Sequence, residues 1–307
     1  MAIVLASSGA AFATSATTNQ DLKFTHLDTS DGLADSTVNA ILQDQWGYMW
    51  FGAKAGLNKY DGSKFTYYQS DSNNPNSLSH DVVRWLHEDK KGLLWIGAMN
   101  GLTKYDPETG RFTKYFHDPE DPQSLVHRSV RTICETSDGK LWLGTFQGLS
   151  IFDPATETCV STRFTTGPYV MDSWDHIFDI HEDHTGLIWL ASRPGLMRYD
   201  PQADTFGKLV NDPENPDSFQ GVFVTAIAED QAGDLWITSF RQGLHQYDRK
   251  NDRFRQFVND ENDPNSIGAN ALFALQICSQ GKIWIAAFNR GVHTYNPQAG
   301  RSLNFII

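Results

Sequence analysis

Apolar residues along this chain fall in short alternating runs rather than at helical spacing, and the runs return with a fixed period. Val83 and Leu86, or Val130 and Ile133, mark one such run, each followed by an acidic turn. A tryptophan sits inside the next run. Trp50, Trp95, Trp142, Trp189, Trp236 and Trp284 follow one another at intervals of 45, 47, 47, 47 and 48 residues. Around each lies the same phrase. In the first copy, Val38 and Ile41 lead to Asp44 and Gly47, then to Met49-Trp50-Phe51-Gly52, Gly56-Leu57, Tyr60-Asp61 and the pair Phe65 and Tyr68. The fifth copy repeats it with Val224, Asp230, Gly233, Leu235-Trp236-Ile237, Gly243-Leu244, Tyr247-Asp248, Phe254 and Phe257.

Each unit therefore decomposes into four short strands. The D-x-x-G phrases at Asp44/Gly47, Asp89/Gly92, Asp183/Gly186 and Asp230/Gly233 are hairpin signals, because Asp caps backbone N–H groups and Gly accepts positive φ. Thr136-Ser137-Asp138 and Ser279-Gln280 replace that turn in the third and sixth units. Four antiparallel strands repeated every 40 to 50 residues are the signature of propeller blades. The prediction is an all-β chain: a β-propeller of four-stranded antiparallel blades, with six recognisable repeats of about 47 residues. The repeats are placed near 22–68, 78–115, 125–164, 172–209, 219–257 and 267–307, in a single propeller over 21–307 behind a leader over 1–20. One blade cannot bury both faces alone, so the tryptophans are expected between blades, as core. The segment Leu22 to Leu27 reads as a strand able to complete the last blade and remove two sheet edges.

Composition narrows the function classes. The formal charge is −12, which speaks against a nucleic-acid surface built on clustered Lys and Arg. Three cysteines, Cys134, Cys159 and Cys278, form no C-x-x-C pair, so neither zinc nor a disulfide framework is expected. Cys134 and Cys278 read as thiols of the first apolar strand of their units. Ala2 to Ala13 is small and apolar and ends Ala11-Phe12-Ala13, which resembles the back half of a secretory signal peptide and predicts export. No apolar run of 18 or more residues exists. The blade connectors share a second phrase, as in Asp118-Pro119 through Pro122 and Ser124, or Asp212-Pro213 through Pro216 and Ser218. Its spacing matches no calcium loop and predicts an ordered turn.

The phrase Ile-x-[Glu/Gln]-Asp-x-x-Gly-x-x-Trp-[Phe/Ile/Leu]-Gly-x-x-x-Gly-Leu-x-x-[Tyr/Phe]-Asp resembles the regulator-propeller repeat of two-component signalling proteins. Asp31-Gly32-Leu33, ahead of the first unit, is also similar to that family's start. The resemblance implies a periplasmic sensor module whose parent carries two seven-bladed propellers, an immunoglobulin-like linker, a membrane helix and a cytoplasmic output. That output is a histidine kinase, often a hybrid, or a GGDEF diguanylate cyclase. This chain then corresponds to the non-catalytic first propeller, with a neighbouring propeller or linker domain and a second copy in a homodimer as partners, and no cofactor.

Ligand residues are sought where equivalent positions differ chemically between units. The loop after the tryptophan strand supplies Lys54, Asn100, Gln147, Arg193, Arg241 and Arg290, with Met99, Phe146, Phe240 and Phe288 beside them. Cations next to aromatics suit a small anionic or carbohydrate-like ligand. The first strand, expected to line the channel, adds Arg84, Trp85, Arg131 and Asp179. His80, His127 and His176 precede those strands without partners at metal-ligand spacing. An incidental pairing of Asp179 with His176 or His181 is the reading preferred over acid–base chemistry. Two other function classes stay open: an exported propeller enzyme such as a lyase or glycosidase, and a protein–protein interaction platform.

Overall fold

The computed structural model describes residues 2–3, 26–162, 176–209, 212 and 214–305. Its fold is the all-β propeller that the repeats predict: six four-stranded antiparallel blades. The expected leader lies almost wholly outside the described residues, as do Leu22 to Thr25. Among the described residues no helix is long and apolar enough to cross a membrane.

The chain divides after Lys114 into two compact units. The first holds blade one (Val38–Gln43, Met49–Ala53, Gly56–Tyr60, Phe65–Tyr68) and nearly all of blade two (Val83–Glu88, Leu94–Ala98, Leu102–Asp106, Arg111–Tyr115). The second holds blade three (Val130–Glu135, Leu141–Thr145, Gly148–Asp153, Thr158–Thr162) and blade four (Ile177–Glu182, Ile188–Ser192, Gly195–Asp200, Thr205–Leu209). It continues with blade five (Val224–Glu229, Leu235–Ser239, Gly243–Asp248, Arg253–Phe257) and blade six (Leu272–Ile277, Ile283–Ala287, Gly291–Asn296, Arg301–Phe305). Within each unit the first strands of successive blades lie side by side, so they form the inner row. His26–Leu27 pairs with Ala2–Ile3, while blade six is completed by its own Arg301–Phe305. The strand-completing role expected for the 22–27 segment is therefore not the arrangement seen at His26 and Leu27.

The acidic turn does two jobs at once. Asp44 Oδ1 accepts from Trp46 and Tyr48 N–H, closing the hairpin at Gly47, whose φ of 88° favours glycine. Its Oδ2 accepts from the Trp50 indole at 2.8 Å. The same bond joins Asp89 to Trp95, Asp183 to Trp189 and Asp230 to Trp236 at 2.8, 2.6 and 2.8 Å. Four of the repeated tryptophan rings pack against the tyrosine of the following blade: Trp50 on Tyr105, Trp142 on Tyr199, Trp189 on Tyr247 and Trp236 on Tyr295. The core accordingly sits between blades, around Leu57, Val83 and Ile96 in the first unit, and Leu196, Val224 and Ile237 in the second. The tryptophans are inter-blade core, as expected.

The connectors are ordered turns. In four of them a serine hydroxyl accepts the N–H of an aspartate six residues earlier, as Ser77 does for Asp71, Ser124 for Asp118, Ser218 for Asp212 and Ser266 for Asp260. The three cysteines are free. Cys159 is the fully buried one; Cys134 and Cys278 are half-buried. Cys278 lies one residue past its strand, at the turn position that Asp fills elsewhere, where its N–H donates to Lys282 O. Its placement inside the first strand is thus corrected: the aspartate was exchanged, not the strand residue.

Candidate functional site

Every first strand carries a β-bulge at its second residue: Asn39, Arg84, Arg131, Phe178, Thr225 and Phe273. A bulge re-aims the side chain of the extra residue. In blades one and five it points that side chain toward the following blade. Asn39 Nδ2 donates to Val83 O at 2.7 Å, and Thr225 Oγ1 donates to Leu272 O at 3.0 Å. The position is therefore fixed in backbone and free in chemistry, which is what a recognition surface needs.

In the second unit this row and the adjoining loops form a continuous aromatic arc. Phe146 meets His176 at 4.3 Å between centroids, and His176 meets Phe178 at 6.0 Å. The chain of rings continues from Phe178 to Phe223 at 5.0 Å, to Phe240 at 5.2 Å and to Phe273 at 5.3 Å, and Phe273 meets Phe288 at 5.6 Å. Two arginines lie over it. The Arg131 guanidinium carbon is 5.0 Å from the Phe146 ring and 4.4 Å from Phe178; that of Arg241 is 5.5 Å from Phe240. Phe273 and Phe288 are 41% and 53% exposed, so their apolar surface faces solvent instead of core. Phe223 adopts φ 47° between the hydrogen bonds Phe223 N–H to Arg193 O and Phe240 N–H to Phe223 O. A bulky side chain in the left-handed region is strained by about 1–3 kcal/mol, and such strain gathers at functional sites.

The charge beside the arc is set by Asp179. Burial pushes its carboxyl up to about 7, against the two N–H groups of Ile227 and Ile180 that it accepts from at 2.9 Å each. Those backbone bonds replace any pairing with His176 or His181. His80 and His127 use Nδ1 to accept from Val82 and Ser129 N–H, which is turn capping. Among the described residues no group of three His, Cys, Asp or Glu side chains is arranged to hold a metal ion.

Of the expected set, Arg131, Phe146, Phe240, Arg241 and Phe288 take part in the ring and guanidinium contacts of the arc. Lys54, Arg84, Trp85 and Asn100 belong to the first unit: Lys54 and Asn100 are exposed, and Arg84 and Trp85 are half-buried. Gln147 is half-buried in the turn whose N–H donates to Thr145 Oγ1, while Arg193 and Arg290 are exposed. The loop residues are also not one equivalent ring. Ala53 pairs with Gly56, and Ser192 with Gly195, which puts Lys54 and Arg193 in the place held by Phe146. Ser239 pairs with Gly243 and Ala287 with Gly291, so blades five and six carry one extra residue, and this displaces Arg241 and Arg290. Phe178, Phe223 and Phe273 were missed. The signal that finds Phe178 and Phe273 was present, because they occupy the same column as Arg84 and Arg131.

These blades define a β-propeller whose loop and bulge residues are free to vary on a repeated frame. Four segments, residues 32–55, 77–100, 124–147 and 218–241, match the family described as two component regulator propeller, and the chain carries that family's repeat. A histidine kinase of Formosa agariphila is 38% identical over 61 residues, 20% of this chain and 4% of that protein. The extracellular domain of a putative hybrid two component system from B. thetaiotaomicron superposes with a TM-score of 0.77 at 24% identity, covering 92% of this chain and 36% of that one. Virginiamycin B lyase from Staphylococcus aureus superposes at 0.64 with 12% identity, covering 89% and 85%. The chain thus spans well under half of the signalling relatives it resembles, and these structural likenesses are likenesses of fold.

Proposed function

We propose that this chain is the extracellular, non-catalytic reading module of a membrane-anchored two-component sensor, and that the arc of the second unit is where it takes a small anionic or carbohydrate-like ligand. The carrying observation is the run of ring contacts from Phe146 to Phe288 across four blades, with Arg131 and Arg241 over the rings. Ring faces accept the apolar face of a sugar or a planar acid, and a guanidinium pairs with a carboxylate. The relatives that carry the same repeat or fold include a histidine kinase and a hybrid two component system, which supports signalling as the context. Occupancy is passed on by movement of the whole propeller against neighbouring domains or a second copy, since packed blades are poor switches by themselves.

The test is calorimetric titration of the purified chain with uronic-acid oligosaccharides and their carboxyl-reduced counterparts. Binding of the acidic set, weakened tenfold or more by Arg131→Ala and by Phe178→Ala, is the expected result. No heat with either set, or equal binding by the arc variants, removes the arc as the site. A propeller enzyme is the second reading, favoured by the fold shared with virginiamycin B lyase. Turnover of a bound saccharide by the unmodified chain would put it first.

A further inference from the structure

At the opposite strand ends from the arc, blades three and four leave a cleft of about 550 Å3. Trp142, Ile151, Leu187, Ile188 and Tyr199 give it apolar walls, and Asp138, Glu182, Asp200 and Lys140 line its polar side. The equivalent space between blades four and five is filled by the chain itself. There Arg249 follows Asp248 in the outer turn and reaches back into the preceding blade. Its Nη2 lies 2.7 Å from Asp183 Oδ2 and 3.7 Å from Glu229 Oε1, its Nε donates to Gly233 O at 3.0 Å, and its guanidinium sits 5.8 Å from the Tyr247 ring centre.

Between blades three and four most of that receptor is repeated and the arginine is not. Glu182 stands where Glu229 stands, held the same way: its Oε2 accepts Ser137 N–H at 2.6 Å, as Glu229 Oε2 accepts His184 N–H at 2.9 Å. Tyr199 takes the place of Tyr247. Pro201 replaces Arg249, and Thr136 replaces Asp183. The second exchange has a further consequence. Trp142 is 4% exposed, and its indole N–H, which in four other blades donates to the turn aspartate, has no acceptor among the described residues. The lost carboxylate is partly restored by Asp138, which accepts from Thr136 Oγ1 at 2.6 Å and pairs with Lys140 at 3.2 Å. Three carboxylates against one ammonium leave the cleft negative.

We propose that this cleft receives an arginine side chain from a partner protein, in the manner in which Arg249 occupies its counterpart. The guanidinium meets Glu182 and Asp138 and lies against Tyr199, while a carbonyl of the arriving peptide accepts the Trp142 indole N–H. A guanidinium's planar fork suits a carboxylate wall beside an aromatic face better than an ammonium does. The inference is independent of the ligand reading, because the two sites lie at opposite ends of the same strands.

The probe is N-acetyl-arginine methylamide, with the citrulline analogue as its neutral isostere. The readout is the Trp142 indole N–H resonance of the intact chain, assigned by its loss in Trp142→Phe. The resonance should move on titration with the arginine compound and stay in place with citrulline, and Glu182→Gln should weaken binding tenfold or more. Pro201→Arg supplies the missing arginine from a turn position where Arg249 is already tolerated. In that variant the resonance should be displaced without probe and should no longer titrate. No movement in the unmodified chain, an equal response to citrulline, or full binding by Glu182→Gln would each overturn the proposal.

Discussion

Asp183 joins a hairpin, an indole and a neighbouring blade, and neutralising it tests whether the inter-blade frame rests on this turn. Its side chain is fully buried and accepts from Thr185 N–H and Oγ1, Leu187 N–H, the Trp189 indole and Arg249 Nη2. Burial alone would raise its pKa; the bonds from Thr185, Trp189 and Arg249, with the Arg249 charge, outweigh that and hold it at about 2, below its ordinary 3.8. At 1.36 kcal/mol per unit, the ionised form contributes about 2 kcal/mol of stability at neutral pH. Because the folded pKa is the lower one, that contribution is complete above about pH 4 and disappears as the pH falls through 2. Asp183→Asn removes the charge, turns one acceptor into a donor facing Arg249 or Trp189, and leaves the half-buried guanidinium to the more distant Glu229 carboxylate at 3.7 Å. The expected cost is about 3 kcal/mol near pH 7. Urea unfolding from pH 7 down to pH 2 measures it, with blade-five fluorescence followed separately, since repeat arrays do not always unfold as one unit. A loss under about 0.5 kcal/mol at pH 7 refutes the assignment. So does a loss that stays undiminished at pH 2.

Two further predictions test neighbouring parts of the frame. His245 is wholly buried with both ring nitrogens unpartnered, and burial lowers its pKa to about 4. The unfolded chain binds the extra proton between about pH 6.5 and 4, so stability falls by about 3 kcal/mol as the pH drops through that window. His245→Met, copying Met197 at the same place in blade four, should abolish that part of the acid loss in a pH series of melting curves. A side-chain Cβ at Gly52 would stand 2.6 Å from Val83 Cγ1 of the next blade. Gly52→Val should therefore cost about 1–3 kcal/mol by overpacking, read as a lowered urea midpoint.

What the sequence disclosed, and what it withheld, follows from how the repeat uses its residues. Asp44, Gly47, Trp50 and Tyr105 belong to contacts that are repeated from blade to blade, so their types recur at fixed intervals and announce the blades. Strand ends and hairpins were legible for that reason. The arc was half legible. Arg131 and Phe146 could be chosen because their columns vary, but the arc depends on which rings touch, and contact is decided by the bulge at Arg131 and Phe178. A bulge has no residue signature here: Asn39, Arg84, Phe178 and Thr225 share a backbone and nothing else. The loops failed differently. One extra residue after Ser239 and after Ala287 shifts Arg241 and Arg290 out of the column of Phe240 and Phe288, which Lys54 shares.

The same reasoning explains why the boundary between blades three and four matters more than the agreement of either blade with the repeat. Thr136 is an ordinary residue for a turn, and Pro201 is the residue that Pro107, Pro154 and Pro297 also place in the outer turn, so neither stands out when read singly. Their significance appears only across the blade boundary, where Asp183 and Arg249 show the pair of residues that would close the gap. Losing both closes nothing and strands no charge, so the frame survives with Asp138 carrying the hairpin. It leaves one indole donor and one anchored glutamate facing an open space. A repeat protein can acquire a site in this way without building one: by leaving open at one boundary the space that Arg249 fills at the next, and letting a partner supply the guanidinium. The unfilled donor of Trp142 separates that account from simple loss, since loss alone predicts no response of its resonance to any guanidinium.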